Sequence, residues 1–362
     1  MKIDPQGLLS DLVRTESISG KEQHIVELVG DLCRSAKLDY EVVGGGVLAR
    51  LERGSGPRLM LTSHLDTVPA GTGWQTDPFN ADWKDGRLVA LGANDAKAGV
   101  VGMLCATLAK LEDRTFQGQL LLALNACEET TNAGMAAVLE YLEVPPDLAV
   151  VGEPTGLEVV RSQAGLAVFL ADWSGVSCHA AHVTKLDHRN ALFEAARDLA
   201  AFGPFVSLPS SHPLFEESTL VPAQMQSGSR HNVVPDAAQV VVDARLAPDH
   251  DAHFCVDYLE EHLPEAKISV RSSRLRPVDT SADHPLVTTA LEVLGKEKAI
   301  ASSTMSDMAL LAGIPAIKCG PGETRRSHTA GEFVTEQELL DGCAFYGAMT
   351  DRLEEMLVGQ AT

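Results

Sequence analysis

Apolar and polar positions along this chain follow two rhythms. Asp4-Pro5 reads as an N-cap followed by proline at the first helical position, and Leu8, Leu9, Leu12 and Val13 then recur at helical spacing. Ser19 and Glu22 form a capping-box pattern ahead of Ile25, Val26, Val29 and Leu32, so two helices open the chain. Short apolar runs then alternate with helical stretches: "LMLTS", "RLVAL", a helix over residues 96–111, "QLLLALN", a helix over residues 133–142, and "DLAVV". This order predicts an α/β fold with a mixed, mostly parallel sheet flanked by helices.

The rhythm changes after Gln163. "LAVFLADWSG" reads as a strand, "RNALFEAARDLAAF" as a helix, "STLVPAQMQS" and "AQVVVDARL" as strands, "DAHFCVDYLEEHL" as a helix and "KISVRSS" as a strand. The order β-α-β-β-α-β is that of a ferredoxin-like α+β unit. Residues 166–274 are therefore expected to form a second domain inserted into a first one made of residues 1–165 and 275–362. The first domain resumes with the apolar strand of "GIPAIKCGPG", and Thr335 with Glu338 caps a last amphipathic helix.

Composition narrows the function classes. The chain has 362 residues and 45% hydrophobic content, enough for two cores. Asp and Glu total 50 against 29 Lys and Arg, a formal charge of −21, which argues against nucleic acid or an anionic membrane as partner. No stretch reads as a signal peptide or a membrane span, and the seven cysteines are scattered through apolar runs like reduced core thiols. The expected address is the cytoplasm.

Ligands of open α/β sheets bind outside the carboxyl ends of the strands, so the polar residues that follow each apolar run carry the candidate chemistry. His64 and Asp66 follow "LMLTS", Asn94-Asp95 follow "RLVALGA", Glu128-Glu129 follow "QLLLALNAC", Glu153 follows "DLAVVG", and His328 lies beyond "AIKCGPG". Each alone reads as a cap or a solvated loop. Five strand ends that deliver two histidines and several carboxylates to one rim read as a site for borderline divalent cations, zinc first, cobalt or manganese as the other options. The set is too large for one open catalytic ion and fits two ions sharing a carboxylate. Period-two geometry puts His64 and Asp66 on one face, so Asp66 is expected to orient His64 through its other ring nitrogen. The Glu128-Glu129 doublet offers one ligand and one free general base, because adjacent side chains diverge.

"SHLDTVP", "GANDAKAG", "NACEET", "VGEPTG" and "GPGETRRSHTAGEFV", in this order, resemble the dinuclear zinc metallopeptidase and deacylase family that contains acetylornithine deacetylase, succinyl-diaminopimelate desuccinylase, aminoacylase and carboxypeptidase members. The resemblance spans essentially the whole chain. It implies that His64 and Glu153 hold one metal, Glu129 and His328 the other, that Asp95 bridges them, and that Glu128 is the base. "SGVSCHAAH" resembles the family's lid stretch and implies that His179, rather than His182, reaches the substrate of a partner subunit across a homodimer formed through the inserted domain. "GSRHNVVPDAAQVVVDARL" resembles a substrate-binding segment and makes Asn232 and Arg245 candidates for the substrate's carboxylate or carbonyl oxygens; "CGPG" similarly looks like a substrate loop through Gly320 and Gly322. The implied activity is removal of an acyl group from the α-nitrogen of a small amino acid, with "GWQTDPF", "GANDAKAG", "RHNVVPD" and "RRSHTAGEF" most like the acetylornithine deacetylase members. Desuccinylase, acetylcitrulline deacetylase, carrier-linked lysine or ornithine hydrolase, and dipeptidase or aminopeptidase activities are alternatives. A non-catalytic metal or peptide binder would lack the base or a ligand, and every expected position is occupied here.

Overall fold

The computed structural model describes residues 3–54, 56–353 and 356. The chain divides into two compact units: one comprises the chain up to Arg161, Asp279–Ile300 and the chain from Ser306 onward, the other Ser162–Val278 and Ala301–Met305.

The first unit is built on a sheet whose strands lie in the order Asp39–Val43, Gly46–Arg53, Gly118–Asn125, Arg58–His64, Leu148–Val151, Ala316–Lys318. Arg58–His64 runs parallel to both neighbours, and Ala316–Lys318 runs parallel to Leu148–Val151. Helices cover these central strands, so Leu59, Met60, Leu61, Leu120, Leu122, Leu148 and Val150 are buried on either face, which is why they read as continuous apolar runs rather than alternating ones. The outer hairpin pairs Asp39–Val43 with Gly46–Arg53 antiparallel and turns on Gly44 and Gly45, both at positive φ. Its first strand is largely exposed and carries no continuous apolar run. Helix Ala98–Glu112 packs against the last helix, Glu336–Asp351, where a side chain at Gly102 would meet the Tyr346 ring at 2.7 Å. That last helix carries the expected capping box of Thr335 and Glu338, and Asp4 caps Pro5–Arg14 as expected.

Two local expectations are corrected. "RLVAL" yields only Arg87–Val89, which joins Trp83–Lys84 and Phe333–Thr335 in a separate three-stranded sheet; of its three residues only Leu88 is buried, so it has no second apolar face to place inside the main sheet. Ser19 and Glu22 do not cap Gln23–Ala36: Glu22 stands at the N-cap position without a side-chain cap bond. Ser19 Oγ donates instead to Asp66 Oδ2 (2.7 Å), and Glu22 Oε1 accepts from the backbone N–H groups of Gly20 (2.9 Å) and Cys127 (3.0 Å). Buried polar groups at the sheet end draw these side chains away from the helix start.

The second unit is an antiparallel sheet in the order Val206–Pro209, Glu217–Ser227, Ala237–Leu246, Gly165–Ser174, Ala266–Leu275. Its four long strands follow the ferredoxin-like order, and the short Val206–Pro209 adds a fifth strand at one edge. Inward residues alternate along the strands: Phe169, Ala171, Trp173, Val240 and Val242 pack with Ala195 of Ala191–Phe202 and Cys255 and Leu259 of Ala252–His262. No helix among the described residues is long and apolar enough to cross a membrane.

Candidate metal centre and active site

The carboxyl ends of the first unit's strands carry the candidate chemistry. His64 ends the central strand Arg58–His64, Glu128 and Glu129 lie in the loop after Gly118–Asn125, Glu153 follows Leu148–Val151, and His328, at φ +59°, follows Ala316–Lys318. Asp95 sits in the turn Ala93–Lys97 ahead of helix Ala98–Glu112 and does not cap that helix. The structure brings these residues together. One ligand atom each of His64, Asp95 and Glu129 lie within 4.8 Å of one another, and the same holds for His64, Glu128 and Glu153. Asp95 offers Oδ1 to His64 Nε2 (3.3 Å) and Oδ2 to His328 Nε2 (3.6 Å), while Glu129 Oε1 meets His328 Nε2 at 3.0 Å. A carboxylate whose two oxygens face two imidazoles has the donor arrangement of a bridge between two cations, so the residues fit a pair of divalent ions.

Burial and neighbouring charge favour the protonated forms of Glu128, Glu153, His64 and His328. Burial lifts the Glu153 carboxyl to about 8 and the Glu128 carboxyl well above its ordinary value. Burial opposes a charged His64, but the Asp95 hydrogen bond and the charges of Glu153, Glu128 and Asp66 carry it well above the ordinary imidazole range. The hydrogen bond to Glu129 raises His328 to about 9. A ligand set so loaded exchanges protons for metal on binding.

A model of peptidase family M20/M25/M40 matches residues 60–352. The chain belongs to peptidase family M20/M25/M40. Acetylornithine deacetylase of Myxococcus xanthus is 30% identical to it over 311 residues, covering 81% of this chain and 80% of that protein. Succinyl-diaminopimelate desuccinylase of Zymomonas mobilis is 27% identical over 292 residues, covering 75% and 76%. Among solved structures, aminopeptidase PepT from Bacillus cereus matches with a TM-score of 0.77 at 21% identity over 96% of this chain and 98% of that one. The Bacillus subtilis YXEP protein, a dinuclear metal binding peptidase of the M20 family, matches with a TM-score of 0.77 at 15% identity over 98% of both chains. These two share the fold.

In this M20-family hydrolase Asp66 meets the other ring nitrogen of His64 chiefly through its backbone. His64 Nδ1 lies 2.9 Å from the backbone carbonyl of Asp66, and the Asp66 carboxylate stands 3.8 Å from that nitrogen. The strand ends at His64, so period-two geometry does not carry on to Asp66. The carboxylate turns instead to the loop of the glutamate doublet: Oδ1 accepts from Glu128 N–H (3.0 Å) and Oδ2 from Glu129 N–H (3.2 Å) and Ser19 Oγ (2.7 Å). Asp66→Ala removes the shared acceptor of these part-buried donors, at roughly 1–3 kcal/mol for each group left unsatisfied. The expected result is a lowered unfolding midpoint together with activity reduced about 10–100-fold, read by thermal unfolding and steady-state kinetics.

Sequence reasoning missed several residues that hold the site. Glu332 Oε1 accepts from the backbone N–H groups of Asn94 (2.9 Å) and Asp95 (2.8 Å), fixing the turn that aims Asp95, and burial lifts its carboxyl to about 7. Lys97 is buried beside this turn, donates to the carbonyls of Leu12 (3.0 Å) and Thr15 (3.2 Å), and is pushed down by burial to about 7. Lys318 is buried in the strand ahead of His328, and the charges of Glu153, Glu128 and Asp95 work against the fall that burial imposes on its pKa. A lysine inside the apolar run "AIKCG" was the readable signal. Gly320 and Gly322 have packing reasons for being glycine: a side chain would meet the Glu153 carbonyl at 2.7 Å in the first case and Asn94 Oδ1 at 2.2 Å in the second, where φ is +80°.

In the second unit His179 and Asn232 are brought together: the Ala180 N–H donates to the Asn232 carbonyl (2.9 Å), and His179 bridges to Val233. His179 Nδ1 accepts from the Ala181 N–H (3.1 Å), so a neutral ring carries its proton on Nε2. The His182 ring stands 5.5 Å away, centroid to centroid. Arg245 lies on a central strand, where its Nε donates to Asp243 Oδ1 (3.0 Å) on the same face.

Proposed function

We propose that this M20-family hydrolase is a cytoplasmic, homodimeric, two-zinc amidohydrolase that converts N2-acetyl-L-ornithine to L-ornithine and acetate, a step of arginine biosynthesis. The observation that carries the reaction class is Asp95, with one carboxylate oxygen toward His64 and the other toward His328, beside a glutamate doublet whose members diverge. Support for the substrate is the 30% identity to an acetylornithine deacetylase.

His64 and Glu153 would hold one ion, Glu129 and His328 the other, and Asp95 both. When bound, such ions supply Lewis-acid polarisation and activation of water. Glu128 takes a proton from the attacking water and delivers it to the departing α-nitrogen. His179 of the inserted domain, contributed by the partner subunit, donates from Nε2–H to the developing oxyanion. Asn232 and Arg245 bind the substrate's carboxylate or carbonyl oxygens, the guanidinium offering its remaining N–H groups in a planar fork.

The test is a panel of N-acetyl and N-succinyl amino acids and of dipeptides, supplied to the zinc-loaded protein. The reading requires amine release from N2-acetyl-L-ornithine with the highest kcat/KM. Preference for N-succinyl compounds moves the assignment to a desuccinylase, and hydrolysis confined to substrates with a free α-amine makes the protein a dipeptidase or aminopeptidase.

A further inference from the structure

The loop that carries Glu128 and Glu129, residues 126–131, is held from three sides by buried carboxylates. Three successive backbone N–H groups donate to them: Cys127 to Glu22 Oε1 (3.0 Å), Glu128 to Asp66 Oδ1 (3.0 Å) and Glu129 to Asp66 Oδ2 (3.2 Å). The residues that flank the loop are tied by a third acid. Asp307 Oδ2 accepts from Asn125 Nδ2 (2.7 Å) at the end of the strand, and Oδ1 accepts from Asn132 Nδ2 (3.1 Å) at the start of the next helix, while Asn132 Nδ2 also stands 3.5 Å from Glu128 Oε1. Glu22 and Asp307 are 4% and 1% exposed, so both are committed to these contacts rather than to solvent. The loop needs restraint. Cys127 and Asn132 are non-glycine residues at φ +58° and +53°, a region that costs conformational energy and persists only when neighbours enforce it. The turn closes on itself as well, with Thr131 N–H and Asn132 N–H both donating to the Cys127 carbonyl (3.0 and 2.7 Å).

We infer that Glu22 and Asp307 are positioning residues which, with Asp66, clamp this strained loop so that Glu128 and Glu129 leave adjacent backbone positions toward different partners. Both then have an oxygen within ligand reach of His64, Glu128 together with Glu153 and Glu129 together with Asp95, and Glu129 also meets His328. This inference rests on the proposed roles of the doublet, and it adds a requirement far from it in sequence: residue 22 governs the loop at 127, and residue 307 the loop's two shoulders.

The experiment compares Glu22→Ala, Glu22→Gln and Asp307→Ala with wild type for kcat, KM, unfolding midpoint and backbone hydrogen exchange in the metal-free protein. Glu22→Ala and Asp307→Ala are expected to lower kcat about 10–100-fold, with KM within about two-fold of wild type. Exchange at the Cys127 amide is expected to rise roughly ten-fold or more in Glu22→Ala. Glu22→Gln keeps the accepting oxygen and is expected to restore both readouts. In a Glu128→Gln background at saturating Zn²⁺, adding Glu22→Ala should cost less activity than it does in the wild type, because part of its effect acts through that base. Wild-type exchange at Cys127 in Glu22→Ala overturns the clamp, as does a kcat loss that Glu22→Gln fails to restore. Full activity of Glu128→Gln itself would instead remove the base assignment, and the exchange measurement still decides the clamp.

Discussion

Glu128→Gln is expected to bind metal like the wild type and to lose kcat by at least roughly 10²–10⁴-fold, the range typical when a general base is removed. The amide keeps the size of the side chain but cannot take a proton from water. Glu129→Gln is expected to behave in the opposite manner, with metal occupancy falling first, because its carboxylate faces His328 Nε2 at 3.0 Å alongside Asp95. The pair is worth measuring together, since Glu128 also has an oxygen within ligand reach of His64 and Glu153. Metal analysis of both variants beside their kcat separates the roles. Loss of metal in Glu128→Gln with retention in Glu129→Gln would exchange the two assignments.

His179→Ala is expected to retain its metal and lose about 10²–10³ in kcat, the usual cost of one oxyanion donor. The proposed base and ligands all lie in the first unit, whereas the ring of His179 is exposed with Nδ1 already accepting from the Ala181 N–H, which leaves Nε2–H of a neutral ring to donate. The trans arrangement has its own test. His179→Ala subunits mixed with Glu128→Gln subunits, each inactive alone, should recover activity toward half of the wild-type value per heterodimer, because one of the two sites then has both groups intact. Verified subunit exchange with no recovered activity removes His179 from this role, and His182→Ala is then put through the same mixing.

His64, Glu128, Glu129 and Glu153 were legible because each stands at or just past the end of an apolar strand of the main sheet, and strand ends in a parallel sheet converge by topology, whereas Asp95 sits in the turn ahead of helix Ala98–Glu112 and His328 in the loop beyond Ala316–Lys318. The helix starts at Asp4 and Thr335 were legible because their caps are local. What holds the rim was not. Glu332 supports Asn94 across 238 positions of sequence, and Asp307 supports Asn125 across 182, distances at which no periodicity speaks. Ser19 and Glu22 show how a local signal loses to a tertiary one: their spacing suits a capping box, yet the Ser19 hydroxyl donates to the Asp66 carboxylate and the Glu22 carboxylate accepts from the Cys127 N–H. Asp66 lies two residues past His64, where the strand has ended, and its carboxylate accepts from the Glu128 and Glu129 N–H groups, a contact that strand periodicity does not reach.

Metal stoichiometry tests the two-ion account most directly. The protein is stripped with a chelator, dialysed and titrated with Zn²⁺ by calorimetry, with Co²⁺ as a second probe. The account predicts two ions per chain, a net release of protons as His64, His328 and Glu153 give theirs up, and a fall to one ion per chain in His328→Ala. A single ion per chain in the wild type, or two ions that survive the loss of His328 unchanged, would contradict it.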